Sequence, residues 1–193
     1  MKHQVLLFIV VCFLRISLNA QILELDPAFP TVNDVITITY DATQGNGALI
    51  GQSQVYCHAG LITSSSTSPT NWQYVQGNWG TVDPQVAMTN IGNNKHTITI
   101  DIDQFYGFPA GTNVLQLAFV FRNANGTIVG RAEDGSDIYY DIYPVNAGLL
   151  ASFFHPSANT ILDLNQQLQI SAAANQLATL TLKEDGQVLQ TLS

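Results

Sequence analysis

The chain has 193 residues, with six basic side chains against 14 acidic ones, a formal net charge of −8. An acidic surface on which Lys95, Arg122, Arg131 and Lys183 are scattered repels phosphate, so nucleic acid and anionic membrane are excluded as partners. A neutral ligand is not penalised.

The N-terminus carries Lys2, an unbroken apolar run over residues 5–14 and then residues 16–20, ending at the small residue Ala20. Ten apolar residues are too few for a bilayer span, which needs about 20. The pattern predicts a secretory signal peptide, residues 1–20, and a secreted, extracellular protein beginning at Gln21 with no membrane association after cleavage. Cys12 falls inside the apolar run without the small residues of a lipoprotein site, so no lipid anchor is expected. Removal of Lys2 and Arg15 leaves four basic residues against 14 acidic, a net −10. Cys57 is then the sole thiol, and stability has to come from a hydrophobic core without a disulfide.

Downstream, period-2 alternation recurs between Gly, Pro, Asn and Asp punctuation, and no window sustains a 3.6-residue period. Strands are predicted over 35–40, 54–59, 72–76, 96–102, 114–122 and 138–143. In "VLQLAFVF" Leu115, Leu117, Phe119 and Phe121 share a face, and in "TITIDI" Ile98, Ile100 and Ile102 do the same. Asn125-Gly126 predicts a hairpin turn, which also accounts for the formal glycosylation sequon at Asn125-Gly126-Thr127. Pro144 and the small residues after it mark a boundary. Residues 21–144 then form an immunoglobulin-like β-sandwich in an all-β chain. Residues 145–193, with a hairpin at Asp185-Gly186, form an incomplete second β-sandwich domain, since 49 residues are too few for a fold that takes about 100. A longer protein with further sequence downstream is the expected context.

Chemistry is sparse. Nucleophile elbow, zinc-protease, phosphate-loop and dinucleotide motifs are all absent, and no cofactor or metal site is expected. Asp101, Asp103, Glu133, Asp134, Asp137 and Asp141 supply carboxylates for glycoside hydrolysis in principle. Outward strand positions explain Asp101 and Asp103, and a solvated turn explains "AEDGSD", which also lacks the spacing of a calcium loop. His96 and His155 read as surface histidines. His58 differs, because alternation in "QVYCHAG" sends Val55, Cys57 and Ala59 to the core and Tyr56 and His58 outward. The same rule in "NWQYVQ" puts Trp72 and Tyr74 together, opposite Val75. Trp79 follows Gly77, where alternation no longer fixes its direction. Outward aromatic rings beside a polar, adaptable loop form a recognition patch.

Taken in order, "VYCHAGLIT", "NWQYVQGNWG", "MTNIGNNKHTITI", "FYGFPAG" and "LQLAFVFRNANGTIVGRAEDGSDIYYDIY" resemble the N-terminal starch-binding module, of the family 26 kind, of secreted bacterial α-amylases. The resemblance covers residues 21–143. It implies a β-sandwich that binds α-1,4-glucan (starch, maltooligosaccharides) through Tyr56, His58 and Trp72, ahead of a family 13 glycoside hydrolase barrel further along the full-length chain. With Tyr74 from the alternation argument and Trp79 from the same aromatic cluster, five residues make the expected carbohydrate-binding set, with no catalytic residues among them. The rival expectation is an extracellular adhesion or spacer sandwich that binds another protein, for which outward rings are unnecessary.

Overall fold

A computed structural model describes residues 21–155 and 170–192. The predicted signal peptide, Cys12 within it, and the side chain of His155 lie outside the described residues. The fold is all-β, a sandwich of antiparallel sheets with almost no helix. The first sheet has four strands in the order β1-β2-β6-β5, namely β1 Leu23–Asp26, β2 Val35–Asp41, β5 Thr89–Gly92 and β6 Lys95–Asp101. The second runs β4-β3-β7-β8, with β3 Tyr56–Thr63, β4 Gln73–Gln76, β7 Val114–Arg122 and β8 Val129–Gly130. A ninth strand, β9 Ile138–Asp141, also pairs with β7, so β9 and β8 share one edge of that long strand in succession.

Alternation places the core between the sheets. Ile36, Ile38 and Tyr40 of β2 face Leu117, Phe119 and Phe121 of β7, and all six are fully buried. Tyr40 and Phe121 stack across the interface with ring centroids 4.0 Å apart and planes 13° from parallel. Each such side chain withdraws enough apolar surface to contribute about 1.5–3 kcal/mol. Cys57 sits in this layer at 2% exposure, and burial pushes its thiol pKa up to about 12, so it behaves as a small inert hydrophobe.

Several sequence expectations change. Ile102 does not extend β6: Asp101 accepts a hydrogen bond from the Gln104 amide and starts the short helix α1, Ile102–Tyr106, closed by Gly107 in the left-handed region. Leu115 is 44% exposed, because the core side of β7 begins only at Leu117. His96 is buried rather than on the surface, for it shares the inward parity of Ile98 and Ile100. Strands β1, β5 and β8 were not anticipated, being only four, four and two residues long.

Both predicted turns are present. Asn125-Gly126 lies in the loop joining β7 to β8, and Asp185-Gly186, both at positive φ, joins β12 Leu180–Glu184 to β13 Gln187–Leu192. The region after Pro144 also holds β10 Ala151–His155 paired with β11 Ser171–Ala174. No helix among the described residues is long and apolar enough to cross a membrane.

Candidate functional site

The outer face of the β3–β7 ladder forms the floor of an open cleft of about 360 Å³. Register pairs His58 with Val120 and Gly60 with Ala118, and at Gly60 the floor is flat because there is no side chain. Trp72 lies over that gap: a Cβ built on Gly60 would sit 3.0 Å from the Trp72 ring, tighter than a side chain there allows. Trp79 uses the same device on the opposite wall. Its indole rests on Gly126, where a Cβ would approach Nε1 to 2.7 Å and where φ is +71°. The hairpin turn therefore has a second role as the seat of a tryptophan.

His58 stands between the two indoles, with its ring centroid 5.9 Å from Trp72 and 5.2 Å from Trp79, the latter edge-on at 86°. Its Nδ1 lies 2.8 Å from the Gly77 carbonyl oxygen. A carbonyl only accepts, so Nδ1 carries the proton and Nε2 is left as an acceptor. Burial lowers the His58 pKa and the Gly77 bond partly opposes that shift, so the ring is neutral at pH 7.

The far wall comes from the segment after β8. Arg131 and Asp137 pair across the solvated turn between them, and both line the cleft. From β9, Tyr139 donates its hydroxyl proton to the Pro69 carbonyl at 2.9 Å, tying down the Ser/Thr-rich loop that precedes Trp72. That loop is also laced internally, Ser66 Oγ accepting from the Thr63 amide and the Thr63 and Ser65 hydroxyls meeting at 2.8 Å. It is thus ordered by its own hydroxyls, where sequence suggested only a polar and flexible connection.

Arg122 is the concealed strut. Its guanidinium is fully buried and donates to the carbonyls of Asn123, Ala124, Asn78 and Thr81 at 2.6–3.0 Å. It also lies 5.0 Å from the Tyr56 ring centroid and 5.9 Å from that of Trp79. Desolvation is the largest influence on it and lowers its pKa, countered by the nearby Asp83 carboxylate. One side chain therefore clamps the loop carrying Trp79 to the loop carrying Gly126.

Of the five residues expected from sequence, His58, Trp72 and Trp79 line the cleft, whereas Tyr56 and Tyr74 do not. Tyr56 was expected to point outward to ligand, but it is 4% exposed, belongs to the buried hydrophobic cluster and carries the Arg122 guanidinium over its ring. Tyr74 adopts φ +51° at an irregularity where β4 slips against β3, which turns it toward Phe108 with centroids 6.1 Å apart. The slip brings Val75 to the cleft in its place. Besides Val75, sequence reasoning missed Thr70, Asn71, Val120, Arg131 and Asp137 as lining residues. Outward parity on β7 was a usable signal for Val120, but nothing local marks Arg131 and Asp137 as a pair. Glu133 and Asp134 are exposed in the turn as expected, and no group of three or more potential metal ligands occurs among the described residues.

Fold and site together define a β-sandwich module with an aromatic cleft on the outer face of one sheet. The chain belongs to DUF8578, a domain family of unknown function, whose model matches residues 23–129. The match takes in His58, both tryptophans and Arg122 and stops short of Arg131 and Asp137. A search of curated proteins finds no match to this chain.

Proposed function

We propose that the protein is a secreted, non-catalytic carbohydrate-binding module for α-1,4-glucan (starch, maltooligosaccharides), which brings a downstream catalytic domain of the full-length chain to its polysaccharide. The observation that carries this reading is the convergence of His58, Trp72 and Trp79 on one open cleft with polar walls. A pyranose presents a C–H face to an aromatic ring and a rim of hydroxyls to donors and acceptors. Indoles held by glycine seats offer that surface at small entropic cost, since each has only two side-chain torsions. An open cleft also suits a chain that enters and leaves at both ends. Charge supports a neutral ligand, because Arg131 and Asp137 cancel one another inside the cleft and the whole chain is acidic. The choice of α-glucan over other neutral glycans rests on the resemblance of residues 21–143 to family 26 starch-binding modules.

Few groups are ordered on binding, so dissociation constants of roughly 10 μM to 1 mM are expected, about −7 to −4 kcal/mol. Affinity electrophoresis in gels containing amylose tests the reading. Retardation by amylose with free migration through hydroxyethyl cellulose supports it; equal mobility in both gels and in a blank gel removes it.

A further inference from the structure

Asp137 carries a lone pair that the protein leaves unused. Its side chain is only 14% exposed, and Oδ1 is taken by Arg131. Oδ2 has the Tyr139 hydroxyl at 3.5 Å, the outer limit for any hydrogen bond. Tyr139 has one proton to give, and the Pro69 carbonyl at 2.9 Å takes it. Asp137 lines the cleft and is mostly removed from water, so this carboxylate oxygen lacks a good donor there, and such a group is costly to leave unsatisfied. Arg131 beside it is a third exposed and has further N–H groups beyond the one spent on Asp137.

We propose that Asp137 and Arg131 are the specificity-determining end of the cleft and read two adjacent hydroxyls of a neutral pyranose, Asp137 Oδ2 accepting from one and Arg131 donating to its neighbour. This rests on the carbohydrate-binding reading above and supplies its polar half. The pair discriminates by charge in both directions. A uronate or phosphate meets the Asp137 carboxylate, and an amino sugar meets the Arg131 guanidinium, so only an uncharged group satisfies both. It discriminates by position as well, since a sugar lacking either hydroxyl leaves Asp137 Oδ2 without its donor or a spare Arg131 N–H without its acceptor. His58 and the indoles hold the ring flat; the ion pair fixes which way round it lies.

The test is a double-mutant cycle between protein and ligand. Maltotriose and its 2-deoxy and 3-deoxy analogues are titrated calorimetrically against the parent protein, Asp137→Asn and Arg131→Gln, with thermal unfolding of each variant as a check on folding. The expected result is a loss of about tenfold or more for each variant toward maltotriose. One deoxy analogue is expected to lose as much against the parent and nothing further against Asp137→Asn, the other behaving likewise with Arg131→Gln. If the parent binds maltotriose and the deoxy losses are the same in all three proteins, the hydroxyl assignment is overturned while carbohydrate binding stands. If the parent binds no maltotriose and no other neutral glycan, both fall together. Should either variant fail to fold, the deoxy series on the parent decides alone: undiminished affinity for both analogues overturns the assignment.

Discussion

The β3–β7 ladder has two faces made from the same two strands, and they differ in what they ask of their residues. On the inner face Cys57, Ala59, Leu61, Leu117, Phe119 and Phe121 are apolar, fully or almost fully buried, and matched against the other sheet. On the outer face Tyr56, His58, Gly60, Ala118, Val120 and Arg122 include a charge, an imidazole and a glycine, and they are covered by loops rather than by a sheet. The inner face needs only the right volume of hydrocarbon. The outer face needs particular atoms at particular heights, which is why it holds the cleft. Mutations that separate stability from binding sharpen this contrast.

The largest effect is expected on the inner face. Phe121→Ala removes a buried ring and its stack on Tyr40, and should cost about 3–5 kcal/mol of stability. Chemical denaturation would show the shift in midpoint, and the folded fraction should bind glucan normally. Next comes Arg122→Met on the outer face, which leaves four loop carbonyls without their donor. A loss of about 2–4 kcal/mol is expected, with weaker glucan binding because Trp79 loses its backing. Arg122→Lys should not restore either property, since one ammonium cannot match the planar fork. Stability and affinity that both survive Arg122→Met would erase the distinction between the faces.

Trp79→Ala is expected to cost about 2 kcal/mol of binding, roughly a 30-fold loss, with little change in melting temperature, since the ring is 47% exposed. Trp72→Ala should weaken binding at least as much and also lower the melting temperature, because Trp72 is partly buried, with an indole N–H that is buried. If Trp79→Ala destabilises more than Trp72→Ala, the Gly126 seat and not the Gly60 seat carries the packing of the cleft.

The smallest effect is on pH. His96 is fully buried, and burial lowers its pKa below 6.5, with the Gln52 backbone only partly opposing the shift. The unfolded chain therefore takes up a proton below pH 6.5 that the folded chain refuses. Stability from this group is complete above that pH and declines as pH falls through 6.5 toward the lower folded value, by at most about 1.4 kcal/mol per pH unit. Denaturation series between pH 5 and 7.5 on the parent and His96→Phe would show a shallower slope in the variant.

Legibility followed the same division. Strand β7 coincides with its predicted span because Leu117, Phe119 and Phe121 alternate unambiguously inward, and the core partner Cys57 followed from simple parity. The parity of His96 with Ile98 and Ile100 was equally available and outweighed its polarity in the fold. Tyr74 was not legible, because a non-glycine residue in the left-handed region has no sequence signature. Nor was the Arg131–Asp137 wall, since it depends on β9 pairing beside β8 on one strand, a tertiary event that alternation does not encode.

Arg122 grips the loop of residues 78–82 through main-chain oxygens of Asn78 and Thr81, while Val82 beside them is 70% exposed. Anchorage of that loop is consequently indifferent to much of its own spelling. Surface positions there can be rewritten with the chain path retained, which makes the rim beside Trp79 an address where new recognition could be installed by varying letters and leaving the scaffold alone.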